Sequence, residues 1–111
     1  MSRLKPPPRS PNCVHSAAES SGSMHAIAPL AGVTLADIKQ ALAGWPRTQL
    51  VEEDESYLHY VVTTALLRFK DDLEFEAGEG VVHVRSASRM GYSDLGANRK
   101  RVEKLRAQLN G

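Results

Sequence analysis

The spacing of apolar positions along the chain predicts two helices that flank a group of strands. The first helix runs from about 34 to 44 and opens on Thr34 and Asp37, which resemble a capping pair. Its apolar stripe comprises Leu35, Ile38, Leu42 and Trp45. The second helix runs from about 94 to 108, and its stripe comprises Leu95, Val102, Leu105 and Leu109. Asn98 interrupts the second stripe, and a buried amide there must find hydrogen-bond partners.

Alternating apolar and polar residues predict two β-hairpins between these helices. The runs TQLVEED and SYLHYVVTTALL meet at the polar residues 54–56, and a second hairpin joins 71–75 to 81–86 around Gly78 and Gly80. Consistent faces on both strands predict a register for the second hairpin. The predicted cross-strand pairs are Glu76 with Val81, Phe75 with Val82, Glu74 with His83, Leu73 with Val84 and Asp72 with Arg85. One face is then apolar, and the other carries pairs of opposite charge.

These elements predict an α+β fold, with a twisted antiparallel sheet of about four strands and both helices packed on one face. A chain of 111 residues suits one domain, which we place at 24–111. Residues 1–23 hold a PPP run and SAAESSGS and predict a flexible, disordered N-terminal arm, within which RSPNCVHS could dock through Cys13 and Val14. No apolar run is long enough to cross a bilayer and no apolar segment follows Met1, so the expected location is cytoplasmic.

Charge is segregated along the chain behind a net value of +1. Residues 46–80 hold three basic and nine acidic residues, net −6, whereas 81–111 hold seven basic and two acidic residues, net +5. An acidic middle and a basic end neutralise each other within one fold, so no nucleic-acid partner is expected. Contact of the basic helix with RNA or an acidic membrane surface is kept as a competing hypothesis. Its cations are Arg99, Lys100, Arg101, Lys104 and Arg106.

The corner between the last strand and the second helix is more polar than a turn requires over residues 85–97, and the candidate site comprises residues 85–101. Arginines, hydroxyls and the N–H groups of a helix start suit a small anion such as a carboxylate or phosphate. The candidate ligand-binding residues are Arg85, Ser86, Ser88, Arg89, Ser93, Asp94, Asn98 and Arg101. In the alternative, the corner fastens the sheet to the helix. Its expected pairs are Arg85 with Asp72, Arg89 with Asp71 or Asp94, and Asn98 with the corner backbone.

Residue types suited to catalysis or metal binding are present without the spacing that those functions need. Glu74, His83 and Arg85 define the alternative of a hydrolase- or isomerase-like enzyme, but a cross-strand salt bridge equally explains the Glu74 and His83 pair. No HxH, HExxH or CxxC motif occurs, so neither a metal nor a cofactor is expected. Cys13 is the single cysteine, which excludes an intramolecular disulfide.

Four segments follow one another in an order that carries a family resemblance. They are RSPNCVHS, PRTQLVEEDESYLHYVV, LLRFKDDLEF and VVHVRSASRMGYSDLGANRKRVEKLR. Over about 9–106 they resemble the uncharacterised family called domain of unknown function 1499. The resemblance implies no established activity, cofactor or catalytic residue. Family members include bacterial and plastid proteins, some with membrane or export segments at the amino end, whereas this sequence starts with a polar segment.

The function predicted from these features is that of a small, non-enzymatic binding module. Its polar corner either holds a small anionic ligand or fastens the sheet to the helix. The alternatives are the enzyme described above and a structural adaptor in a protein complex. The identity of a ligand or protein partner and the oligomeric state stay open.

Overall fold

The computed structural model describes residues 4, 13–16, 25–90 and 96–110, which form one sheet and two helices. The elements in chain order are β1 (Cys13–His15), β2 (Leu30–Ala31), α1 (Leu35–Leu42), β3 (Thr48–Asp54), β4 (Tyr57–Thr63), β5 (Lys70–Ala77), β6 (Val81–Ser88) and α2 (Ala97–Asn110). The strand order is β1-β6-β5-β4-β3, with β2 also paired to β6. The paired strands are antiparallel, and one parallel bridge joins His15 to Ala26. The predicted α+β class is confirmed.

The sheet has six strands instead of about four, because two short strands pair with β6. β1 lies inside the predicted flexible arm and places Val14 opposite Ser86. β2 consists of two residues and places Leu30 opposite Val82. Strands of two or three residues are too short to show the alternation from which a strand is predicted. Apart from Leu4 and residues 13–16, the predicted arm lies outside the described residues.

The starts of the two helices show how local chemistry sets helix ends. In α1, Thr34 Oγ1 accepts a hydrogen bond from the Asp37 N–H at 3.1 Å, and Asp37 Oδ2 accepts one from the Thr34 N–H at 2.9 Å. The predicted capping pair is therefore confirmed. α2 begins at Ala97 and not at 94, because Gly96 has a φ of 84°, which a right-handed helix cannot include.

The hairpin of β5 and β6 has its predicted faces but not its predicted register. The observed pairs include Leu73 with Ser86, Glu74 with Arg85, Phe75 with Val84 and Glu76 with His83. The prediction was therefore wrong by a shift of two residues, which leaves the faces unchanged because the side-chain period of a strand is two. The turn sets the true register. The Gly78 N–H donates to the Val81 carbonyl at 2.9 Å, so the tight turn holds only Glu79 and Gly80, with Gly80 at a φ of 73°.

Both helices pack on one face of the sheet, as predicted, and we call this the inner face. The core buried there comprises Val14, Ile27, Leu30, Ile38, Leu42, Leu58, Tyr60, Val62, Leu73, Phe75, Val82, Val84, Val102 and Leu105. Alternation along β5 and β6 also directs Asp71, Ser86 and Ser88 to the inner face, next to α2. The core is therefore continuous with a group of polar side chains at one end of the sheet. No helix in the described part of the chain is long and apolar enough to span a membrane.

Candidate functional site

A polar cluster lies between the sheet and α2, and it consists of Asp71, Ser86, Ser88, Asn98 and Arg101. Arg101 is its centre, because its Nη2 donates to Asp71 Oδ2 at 2.6 Å and its Nη1 donates to Asn98 Oδ1 at 2.7 Å and to Ser86 Oγ at 3.0 Å. The Ser86 hydroxyl donates to Asn98 Oδ1 at 2.6 Å, and Asn98 Nδ2 donates to Ser88 Oγ at 3.0 Å. These bonds connect β5, β6 and α2 in one network.

Burial makes this network important for stability. Asp71 is 2% exposed, and Ser86 and Asn98 are fully buried. The Arg101 side chain is 11% exposed. Removing one member of a buried ion pair leaves the other charge without compensation and typically costs about 3–5 kcal/mol. Among the described residues Asp71 Oδ1 has no hydrogen-bond partner, so the carboxylate depends on Arg101 alone for charge compensation. The geometry is that of a fastening between sheet and helix.

Asn98 shows why an amide interrupts the apolar stripe of α2. Its partners include the hydroxyls of Ser86 and Ser88, which alternation places on the inner face. An amide can accept and donate at once, so it links a donor hydroxyl to an acceptor hydroxyl. The expectation that the corner supplies partners for Asn98 is confirmed, and the corner partners that the structure shows are the side chains of Ser86 and Ser88.

On the outer face of the sheet, Arg89 pairs with Asp72 and not with Asp71, and the other predicted partner, Asp94, lies outside the described residues. The guanidinium binds in a fork, with Nε to Oδ2 at 2.9 Å and Nη2 to Oδ1 at 2.8 Å. His59 Nε2 lies 2.8 Å from the same Oδ1. Burial raises the pKa of the Asp72 carboxyl, but hydrogen bonds and positive charge from Arg89 and His59 outweigh this and lower it overall. The same pairing raises the pKa of Arg89.

Arg85 also ends in a carboxylate, but in Glu74 and not in the predicted Asp72. Arg85 Nη1 lies 3.3 Å from Glu74 Oε2, and the Tyr57 hydroxyl donates to Glu74 Oε1. Both carboxylate oxygens of Glu74 are therefore engaged. The register places Glu76 opposite His83, whose Nδ1 lies 3.3 Å from Ser16 Oγ. The pair of Glu74 and His83 on which the enzyme alternative depends is thus not a directly opposed pair.

The predicted site residues consequently divide into three groups. Ser86, Ser88, Asn98 and Arg101 come together in the polar cluster. Arg85 and Arg89 point to the other face of the sheet, where each has a carboxylate partner. Ser93 and Asp94 lie outside the described residues. The described candidates therefore do not converge on one pocket, but Arg101 also lies in the wall of a cavity beside the polar cluster.

That cavity, which we call the basic cavity, has a volume of about 330 Å³. It lies between the first half of α2, the start of β3 and the start of the β4–β5 connection. Its walls are Trp45, Pro46, Arg47, Thr48, Val62, Thr63, Thr64, Ala65, Ala97, Lys100, Arg101 and Lys104. Four of these residues are cations and none is an acid.

Of the four cations in the wall of the basic cavity, Arg101 pairs with Asp71, whereas the other three have no carboxylate partner among the described residues. Lys104 Nζ lies 4.6 Å from the centre of the Trp45 ring. Arg47 Nε donates to the Thr63 carbonyl at 3.1 Å. In the described part of the chain no ion pair involves Arg47, Lys100 or Lys104. Their positive charge is therefore directed at the cavity without local neutralisation.

The other groove lies between α1 and the end of α2. Its walls are Gly32, Val33, Asp37, Gln40, Ala41, Gln108 and Leu109. The acid in this wall, Asp37, is engaged in the cap of α1, and no cation faces it. Among the described residues no group of three or more histidine, cysteine or acidic side chains could hold a metal ion. The basic cavity is therefore the better candidate site.

The fold and the cavity define a small α+β domain in which two helices cover an antiparallel sheet and a basic cavity opens beside the last helix. The chain belongs to the family described as Protein of unknown function (DUF1499), whose model matches residues 3–109. The family resemblance in the sequence is thereby confirmed. No match was found among curated proteins, and none was found among solved structures.

Proposed function

We propose that this protein is a binding module for small anions and that the basic cavity is its site. The observation that carries the proposal is the composition of the wall, where four cations and no carboxylate stand among twelve residues. The proposal retains the ligand class predicted from the sequence. It moves the site from the corner to the neighbouring cavity, which shares Arg101 with the polar cluster.

The position of Lys100 supports this proposal because it is electrostatically unfavourable for the protein alone. Lys100 belongs to the first turn of α2, where the helix dipole places partial positive charge, and this turn contains no acidic residue. A cation at this end of a helix costs about 0.3–1 kcal/mol. An anion in the basic cavity would offset that cost and would meet Arg101 and Lys104 on the same wall.

The cavity wall is also largely ordered before any ligand arrives. Arg101 is fixed by the polar cluster, Lys104 packs over Trp45, and Arg47 is tied to the Thr63 carbonyl. Fixing a flexible side chain on binding costs about 0.5–1.5 kcal/mol, so existing order favours affinity. The guanidiniums suit the paired oxygens of a carboxylate or phosphate, and the lysines add point charge. Trp45 and Val62 offer apolar contact for the rest of a small molecule.

The test compares binding of inorganic phosphate to the wild type and to Lys100→Gln and Arg47→Gly, by calorimetric titration and by thermal unfolding. Arg47 has a φ of 52°, which glycine adopts without strain, so its charge can be removed without disturbing the backbone. We expect phosphate to bind saturably to the wild type and each variant to bind roughly tenfold more weakly.

Ala107→Glu is the matched control, because it changes the net charge by the same amount as Lys100→Gln at an exposed position of α2 outside the cavity. Its phosphate affinity should equal that of the wild type. Sodium chloride at matched ionic strength controls for general salt effects. Phosphate binding that is absent from the wild type, or that falls equally in Ala107→Glu and Lys100→Gln, would refute the proposal.

A further inference from the structure

The loop between β4 and β5, residues 64–69, exposes apolar side chains at one end of the sheet, and we call it the apolar loop. Leu66 is 89% exposed, Leu67 is 65% exposed and Phe69 is 39% exposed. Met90 is 65% exposed at the same end, since the preceding Arg89 N–H donates to the Lys70 carbonyl at 3.1 Å. Consecutive exposed apolar residues at one place mark a surface that contacts something other than water.

Hydrogen bonds at the base hold the apolar loop in a defined shape. The Thr64 N–H donates to the Phe69 carbonyl at 2.8 Å, and the Phe69 N–H donates to Thr64 Oγ1 at 2.9 Å. The two leucines lie between these anchors and therefore occupy the tip. Thr64 and Ala65 also line the basic cavity, so the cavity opens next to the loop.

Charge is divided between the two ends of the sheet. The basic end, which includes the apolar loop, carries Arg47, Arg68, Lys70, Arg89, Lys100 and Lys104. The acidic end, formed by the β3–β4 and β5–β6 turns and the adjoining strand residues, carries Glu52, Glu53, Asp54, Glu55, Glu76 and Glu79. The carboxylates of β5 nearest the basic end, Asp71 and Asp72, are paired with Arg101 and Arg89. Among the described residues, exposed apolar side chains therefore coincide with cations of which only Arg89 pairs with a carboxylate.

We propose that the basic end docks on an anionic lipid surface, with Leu66 and Leu67 inserted among the lipids and the surrounding cations against the headgroups. Interfacial binding draws on buried apolar area together with attraction of cations to anionic lipids, and this end supplies both. The proposal goes beyond anion binding in the basic cavity and does not require the cavity to be occupied.

Arg68 gives independent support at the tip of the loop. It has a φ of 58°, a left-handed conformation that a residue with a Cβ adopts at a cost in energy. Arg47 and Arg68 are the non-glycine residues with positive φ in the described part of the chain, and both belong to the basic end. Strained backbone conformations cluster at functional sites, so this conformation supports a functional role for the loop. An arginine between Leu67 and Phe69 is placed to meet a headgroup when the leucines insert.

A second copy of the chain fits this surface less well than a lipid does. Two basic ends facing each other would bring like charges together. A basic end against an acidic end would bury leucines against carboxylates, and such a head-to-tail contact continues into a filament instead of closing. A lipid surface satisfies the leucines and the cations at once.

The test measures cosedimentation of the full chain with vesicles at physiological salt. One set of vesicles is pure phosphatidylcholine, and the other is an equimolar mixture of phosphatidylcholine and phosphatidylglycerol. We expect the wild type to bind the mixed vesicles and not the neutral ones. Leu66→Ser should lower the partition coefficient roughly tenfold, from the lost apolar transfer, and Arg68→Gly roughly fivefold, from one lost charge.

Two variants serve as matched controls. Val51→Ser removes an exposed apolar side chain from β3, and Ala107→Glu changes the net charge as Arg68→Gly does. Both should bind within about twofold of the wild type, because neither touches the apolar loop. Arg68→Gly also relieves the left-handed strain, so it should fold as well as the wild type and give a clear result even if Leu66→Ser aggregates.

Four results would overturn the proposal. The first is equal binding to neutral and mixed vesicles, and the second is vesicle binding that neither Leu66→Ser nor Arg68→Gly changes. The third is a concentration-dependent oligomer that Leu66→Ser abolishes. The fourth is RNA binding that Arg68→Gly abolishes, in a wild-type chain that does not bind vesicles. Phosphate titration of the same variants keeps the two proposals apart. If Arg68→Gly binds phosphate with wild-type affinity but no longer binds vesicles, both anion binding and lipid docking are supported. If the wild type binds phosphate but does not bind vesicles, only the lipid-docking proposal fails.

Discussion

The polar cluster and the basic cavity are neighbours that share Arg101, yet they use positive charge in opposite ways. In the polar cluster, Arg101 meets a buried carboxylate and two neutral acceptors, and the network joins sheet to helix. In the basic cavity, the other three cations face open space with no carboxylate on the wall. The comparison teaches that a dense group of polar residues is not by itself a site. Charge that the fold has not already neutralised is the better guide.

The corner illustrates the point. Arg85, Arg89 and Arg101 are three of its candidate residues, and each forms an ion pair within the chain. A ligand at these arginines would have to compete with an internal carboxylate. Lys100, which lies beside Arg101 in α2, forms no ion pair in the described structure. An anionic ligand bound there would gain the attraction of the lysine without displacing an internal carboxylate.

The largest expected effect comes from breaking the buried pair. Arg101→Met leaves Asp71 buried without a counter-charge, and we expect the free energy of unfolding to fall by about 3–5 kcal/mol in urea titrations at neutral pH. Lys100→Met is the matched control, from the same helix and the same cavity wall but without a carboxylate partner. It should leave the free energy of unfolding unchanged or raise it by up to about 1 kcal/mol, because a cation in the first turn opposes the helix dipole.

A double variant separates loss of the pair from loss of packing. Asp71→Leu combined with Arg101→Met removes both charges and should recover most of the stability lost in Arg101→Met, because the penalty comes from an uncompensated charge. Equal costs for Arg101→Met and Lys100→Met would contradict the distinction between the cluster and the cavity.

A smaller effect is expected from the Asn98 amide of the polar cluster. Asn98→Ala leaves the hydroxyls of Ser86 and Ser88 with fewer partners in a buried place, and it should cost about 1–3 kcal/mol. Asn110→Ala, at an exposed position near the end of the same helix, should be close to neutral. A neutral Asn98→Ala in chemical denaturation would show that the amide does not fasten α2 to the sheet.

Local features of this fold could be predicted from the sequence because their causes lie within a few residues. The Thr34 and Asp37 cap is one example, and the interruption of the α2 stripe by Asn98 is another. The register of β5 and β6 could not be predicted from alternation, since a shift of two residues preserves every face. The turn at Glu79 and Gly80 was the signal that would have decided it.

The basic cavity was missed for a different reason. Its wall comes from three separate stretches, 45–48, 62–65 and 97–104, and no spacing along one stretch reveals that they meet. The cations of α2 were visible in the sequence. The fold decides which of these cations is paired through contacts between residues that are far apart in the chain. Arg101 and Asp71, for example, form an ion pair although the whole of β6 lies between them in the sequence.

The smallest effect is expected at the outer-face pair of Arg89 and Asp72, whose side chains are 46% and 23% exposed and so are less buried than the Arg101 and Asp71 pair of the polar cluster. Arg89 and His59 hold the pKa of Asp72 below its ordinary value of 3.8, although burial alone raises it. A carboxyl whose pKa is lowered by folding stabilises the protein above that ordinary value, and the contribution is lost as pH falls through the folded-state value. Asp72→Asn should therefore cost up to about 1 kcal/mol at neutral pH, and the difference from wild type should shrink below about pH 4 in urea titrations. Glu55→Gln, an exposed carboxylate of the acidic end, should show no such convergence. If the difference in the free energy of unfolding between Asp72→Asn and the wild type stays constant down to low pH, Asp72 acts through packing and not through charge. Arg89 would then be grouped with the cations of the basic end that have no carboxylate partner in the described structure.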